Sequence, residues 1–409
     1  MTGATRGIGV QERRTRLGVR HLLAVTAQGE SVPEVATGLV ALHGTDPASV
    51  FLAVLARMRA GGVGAIERAL YDDRVLVRML GMRRTMFVVP LDLVPIVQAA
   101  CTRAIAERER SRLVLLLDQA GIADDAAGWL GDVEESTLRV LAARGAATAA
   151  ELSEDEPRLR TSVLMAEGKP YEARQNVSTR VLFLLAADGR IIRGRPRGSW
   201  TSSQYRWSLA AAWLPGGMAP DGMAPGGTTE WPTELAQAEL VRRWLAAFGP
   251  GTVADLRWWT GWTAGQVRKA LAQVGPVEVD LDGAVGLVLA DDLDPVPAVE
   301  PWAALLPALD PTAMGWSERG WFLGDHAPAL FDRSGNIGPT VWWDGRVVGG
   351  WAQRKDDEIA LRLLDDVGAD AVTAVRTAAD RLATELGKVR VTPRFRTPLE
   401  RELSASLAP

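Results

Sequence analysis

Cysteine is nearly missing from this chain. Cys101 stands alone among 409 residues, so no internal disulfide can form, and a reducing cytoplasm is the expected compartment. Set among helix-forming residues, that thiol reads as buried filler rather than as a nucleophile. The three histidines, His21, His43 and His326, lie far apart and give no zinc spacing with a single cysteine, so neither a metal nor an organic cofactor is expected. No glycine fingerprint for a dinucleotide and no Gly-Lys-Ser/Thr phosphate loop is present. No nucleophile-elbow signature points to Ser/His/Asp hydrolysis. No uninterrupted apolar run approaches the roughly 18 residues of a membrane span, and the opening MTGATRGIGVQERRTR lacks the apolar core of a secretory signal. What these absences leave is a protein with light catalytic equipment.

The net charge of −4 argues against a protein that is basic all over, yet the charge is unevenly spread. Residues 1–110 hold 15 arginines against 10 acids. Arg190, Arg193, Arg195, Arg197 and Arg206 fall in a stretch without an acid, and Lys388, Arg390, Arg394 and Arg396 make a second basic run. Clusters of this kind are the footprint of phosphate binding, because each phosphate neutralised by arginine releases a counterion. Since the chain has only four lysines, coding bias is the rival reading of the arginine excess.

Three segments repeat one plan of helices, a turn and a β-hairpin. Helical patterns at 13–28, 33–43, 47–60 and 64–70 precede a hairpin at 74–90 whose turn carries Arg83, Arg84 and Thr85, and a long helix follows over about 92–119. The second segment reads as helix, turn and helix, with Thr148 capping the second through its hydroxyl. A helix over 174–187 then leads into a wing at about 188–207, where alternation places Arg193, Arg195 and Arg197 on one edge. A Gly/Pro-rich stretch at about 214–230 reads as a flexible linker. In the third segment an amphipathic helix carries Leu235, Leu240, Trp244 and Phe248 near one face. A helix pair follows, then a hairpin turning at Asp282-Gly283, a second hairpin at Asp344-Gly345 and a helix over 367–386. Trp258, Trp259 and Trp262 read as core filling rather than as a platform for bases. The expected fold is therefore α+β, with three tandem winged helix-turn-helix units at 1–120, 121–230 and 231–409.

The most informative stretch is a polar break, His43-Gly44-Thr45-Asp46-Pro47, between the apolar runs VPEVATGLVAL and ASVFLAVLARM. It predicts a helix–turn–helix joint. Asp46 is placed to cap the second helix, and Pro47 suits its first position, where no N–H is needed. His43 and Thr45, two residues apart, can hold a water against a substrate.

The runs LVALHGTDPASVFLAVLARM and RVLVRMLGMRRTMFVV resemble the AlkZ/YcaQ family of winged-helix DNA glycosylases. AFGPGTVADLRWWTG, LLPALDPTAMGW and VWWDGRVVGGWA extend that resemblance over most of residues 12–400. The resemblance implies units set around a concave DNA-binding channel and excision of alkylated or bulky purines from double-stranded DNA, interstrand cross-links among them; a monomer with neither a metal nor a membrane as partner is expected. The family's Gln-x-Gln or Gln-x-Asp pair falls here on His43 and Thr45, while its Asp-Pro is kept as Asp46 and Pro47. Its Met-Arg-x-Thr hairpin element falls on Met82, Arg83 and Thr85. An N7-alkylated purine is already cationic, so its glycosidic bond needs little protonation to break. His43 would take the proton from an attacking water and Thr45 would orient that water. Arg83, Arg84, Thr85, Arg193, Arg195 and Arg197 would hold the duplex. Two rival readings stay open: a non-catalytic DNA-binding regulator or lesion sensor, and a protein-interaction module.

Overall fold

The computed structural model describes residues 6–165, 168, 172–214 and 231–405. The linker expected at about 214–230 lies almost wholly outside them. The chain divides into two compact units, one built from residues 1–76, 87–90 and 237–409, the other from residues 77–86 and 91–236. Among the described residues no helix is long and apolar enough to cross a membrane.

In the first unit, helix Val10–Arg20 is followed by helix Val32–Gly38, so the single helix expected over 13–28 ends early. Past Gly38 the chain reverses through Val40 at φ 60°, a left-handed conformation no helix can continue through. It then enters the short strand Leu42–His43, whose residues pair antiparallel with Val88 and Phe87. His43 therefore closes a strand rather than a helix, and the polar break is a strand-to-helix connection. Helix Pro47–Leu55 behind it is buried at every one of its nine positions. A run of apolar residues on all faces calls for that complete burial.

The same unit holds an antiparallel four-stranded sheet in chain order, Ala303–Leu306, Thr340–Trp343, Arg346–Gln353 and Ile359–Leu363. Asp344 and Gly345 both take positive φ, 44° and 78°, which gives the tight turn between the middle strands its twist. Gly350 lets helix Pro398–Ser404 approach, since a Cβ there would stand 2.7 Å from Leu399. Helices Thr233–Phe248, Val253–Thr260 and Ala264–Val274 lead into the strand pair Val277–Leu281 and Ala284–Val288, turning at Asp282-Gly283 as the sequence predicts. Trp244, Phe248, Trp316, Phe322 and Trp342 form a ladder of ring contacts 5.2–5.9 Å apart. Trp259 and Trp262 are buried with them, whereas Leu235 is half exposed. The helix that carries Leu235 presents it to water because it lies five residues, not three or four, from Leu240.

In the second unit, helix Arg103–Gln119 packs with helices Ala126–Arg144 and Ser178–Ala187 around Leu117, Val133, Leu141, Val181 and Leu185. The helical run from Leu91 to Gln119 widens at Gln98–Thr102, where the Thr102 hydroxyl donates to Leu80 O at 2.6 Å. Thr148 caps helix Ala149–Asp155 and forms a reciprocal box with Glu151. Residues 173–176 are a strand, so the helix expected over 174–187 begins at Ser178. The wing is strand Ile191–Pro196 against strand Tyr205–Leu209. Cys101 is buried.

Candidate active site and nucleic-acid interface

The connection His43–Pro47 is held at its far end by Asp46. One oxygen of its carboxylate, Oδ1, accepts the Ala48 N–H at 3.1 Å and caps helix Pro47–Leu55. The other, Oδ2, accepts the Arg394 N–H at 2.9 Å. The basic run near the chain's end is thereby tied to the candidate catalytic residues. Arg394 itself is exposed, and its guanidinium stands 5.9 Å from the ring of Phe395.

His43 is 6% exposed, with its ring 5.3 Å from that of Phe87. Gly44 is buried and Thr45 is half-buried. A cleft beside the cap is lined by Asp46, Ser49, Leu52, Trp351 and Gln353 among others; His43 and Thr45 do not line it.

Below the helix, Arg57 is fully buried and makes a two-pronged ion pair with Asp310, at 2.9 and 2.7 Å. Its remaining N–H groups donate to His21 O, Ala53 O and Thr312 Oγ1. The His21 ring bonds Thr312 Oγ1 at 2.7 Å and stacks on Trp316. Burial, with the Arg57 charge adding to it, holds the His21 pKa well below 6.5, so this histidine is a neutral structural group. His326 is likewise structural, its Nε2 lying 3.1 Å from Asp365.

The hairpin and wing residues lie in the second unit. Met82 is buried, while Arg83 and Arg84 occupy successive left-handed positions, φ 52° and 58°. The turn closes through the Gly81 N–H to Thr85 O, and Thr85 Oγ1 donates to Arg83 O at 3.3 Å. Arg84 does not extend freely from the tip: its Nη2 lies 2.7 Å from Glu109, and its guanidinium 5.5 Å from the Phe183 ring.

Arg193, Arg195 and Arg197 do not form one row. A bulge between Arg193 and Pro196 breaks the alternation. Arg193 folds inward, its guanidinium 4.5 Å from the Trp207 ring, and desolvation with the nearby Arg78 charge lowers its pKa to about 10. Arg195 and Arg197 are exposed. Among the described residues no group of three His, Cys, Asp or Glu side chains can hold a metal.

Residues 36–384 match the AlkZ-like family, described as DNA glycosylase AlkZ-like. The chain belongs to this family. An interstrand DNA cross-link repair glycosylase of Streptomyces sahachiroi is 28% identical to it over 173 residues, 40% of this chain and 46% of that protein. The matched stretch thus spans less than half of that relative's length. The solved structure of the Streptomyces sahachiroi DNA glycosylase AlkZ superposes with a TM-score of 0.68 at 21% identity, over 94% of this chain and 98% of that one. At that identity the likeness fixes the mixed helix-and-sheet fold of the AlkZ-like chain. The anchoring of Arg394 by Asp46 had no signal in the sequence. Glu109 and Arg112, three residues apart on one helix, were the readable part of the Arg84 ion pair.

Proposed function

We propose that this AlkZ-like protein hydrolyses the N-glycosidic bond of alkylated or bulky purines in double-stranded DNA, cross-linked purines among them. The observation that carries the reading is the family match across residues 36–384, which includes the capped Asp46-Pro47 connection. The cross-link repair for which the Streptomyces relative is named supports the same substrate class.

In this reading the bond from the sugar C1′ to purine N9 breaks with its electron pair moving to N9. That neutralises the positive charge of the N7-alkylated ring, so protonation of the leaving base is not needed. Water attacks the oxocarbenium-like sugar, its proton passing to the His43 imidazole while Thr45 fixes the oxygen's direction. Asp46 acts on this chemistry through geometry. With both oxygens accepting backbone N–H groups, it holds the connection at its helical end.

The helix, helix and hairpin orders at 1–120, 121–230 and 231–409 fit three winged-helix units, which would bring helices and wings to the duplex. A second reading rests on one specific observation, His43 and Thr45 in place of the family's glutamine pair. A non-catalytic lesion sensor would keep the scaffold and bind without releasing bases.

The deciding experiment incubates the protein with duplex DNA carrying N7-methylguanine and measures the free base. Release in proportion to enzyme supports hydrolysis. Salt-sensitive binding without release supports the sensor.

A further inference from the structure

Glu109 sits on helix Arg103–Gln119 with its side chain 8% exposed, and three arginines converge on it. Arg84 comes from the hairpin turn at 2.7 Å, Arg112 from the next turn of the same helix at 2.9 Å, and Arg180 from helix Ser178–Ala187 at 3.4 Å. Their side chains are 48%, 74% and 29% exposed. One buried carboxylate faces three guanidinium groups, so the cluster carries a surplus of two positive charges on an open surface. Each guanidinium has five N–H donors and Glu109 occupies few of them. The turn that carries Arg84 to this carboxylate places Arg83 and Arg84 in successive left-handed positions, which are strained for non-glycine residues.

We infer that Glu109 is a positioning residue that gathers Arg84, Arg112 and Arg180 into a binding site for DNA backbone phosphate. Like charges would otherwise spread the three side chains apart. With Glu109 at the centre, their outer edges present a planar fork suited to phosphate oxygens. The inference rests on the proposed action on duplex DNA and adds the phosphate contact of the second unit. It also gives Arg84 a defined part in holding the duplex, and brings in two arginines that the charge pattern of the sequence did not single out.

The test uses the full chain, a lesion-free duplex of about 20 base pairs, and fluorescence anisotropy over a range of KCl concentrations. The surface pair Arg84→Gln/Arg112→Gln should flatten the plot of log Kobs against log salt by about 0.9 or more, one phosphate's worth. Glu109→Gln makes the surface more positive by one charge, so simple electrostatics demands tighter binding. Loss of the gathering carboxylate instead predicts a higher Kd and a flatter slope. Near-UV circular dichroism checks that each variant is folded, and the double variant alters only partly exposed side chains. Tighter or unchanged binding by Glu109→Gln, or an unchanged slope in the double variant, overturns the inference while leaving DNA binding intact. Failure of the unaltered protein to bind the duplex at low salt would overturn the DNA reading and this site together.

Discussion

Asp46 and Arg394, 348 residues apart, are joined by a 2.9 Å hydrogen bond from the Arg394 backbone N–H to the Asp46 carboxylate. The same carboxylate caps the helix behind the candidate catalytic pair. One side chain therefore sets both where that helix starts and where the basic run near residue 394 lies.

Replacing Asp46 with asparagine separates these two duties. The amide has one acceptor oxygen, which can cap Ala48 or meet Arg394, but not both, and the other N–H is left facing an N–H donor. The variant should lose about 1.5–3 kcal/mol of stability, the range for a hydrogen bond to a charged group, in urea denaturation. Its base-release rate should also fall. Stability and rate both equal to those of the unaltered protein would show that the Arg394 contact has no consequence.

Arg57 and Asp310 make a sharper stability prediction, because both side chains are fully buried. Arg57→Met leaves Asp310 as an uncompensated buried charge and should cost about 3–5 kcal/mol. The double variant Arg57→Met/Asp310→Asn should be less damaged than the sum of its two single changes. Strict additivity in a denaturant double-mutant cycle would argue against the pair acting as one unit.

Glu156 gives the second unit a defined acid sensitivity. The Arg158 hydrogen bond and pairing, helped by Ser136 and the Arg158 backbone N–H, lower its pKa from 4.5 to about 2. A carboxylate with a depressed folded-state pKa adds stability above its unfolded value, and that stability is lost as pH falls through the folded value. Glu156→Gln should therefore be less stable than the unaltered protein at pH 7, and the gap should close between about pH 4.5 and 2. Thermal melts at several pH values measure it, and a gap independent of pH would refute the assignment.

The parts of the fold legible in the sequence are those fixed by neighbours. The Asp46-Pro47 helix start, the Thr148–Glu151 box and the turns at Asp282-Gly283 and Asp344-Gly345 each need only a few adjacent residues. In the sequence His43 reads as a helix end because the apolar run before it has no local stop signal. Its strand exists through pairing with Phe87, a contact that periodicity cannot reveal. The wing arginines do not share one edge for a similar reason, since a bulge between Arg193 and Pro196 shifts the alternation and Trp207 draws Arg193 inward. Of the Glu109 cluster only the Arg112 pairing, three residues along the same helix, is local in sequence; Arg84 and Arg180 reach it from separate elements.

In the proposed reaction His43 and Thr45 carry out the hydrolysis. Its most direct test is single-turnover release of N7-methylguanine from duplex DNA by the unaltered protein and by His43→Ala and Thr45→Ala. Duplex affinity and folding are followed in parallel. His43→Ala should bind DNA as before but release base about a hundredfold more slowly or worse, the loss expected of a general base, with a smaller deficit for Thr45→Ala. Full-rate release by a folded His43→Ala protein would rule out His43 as the base.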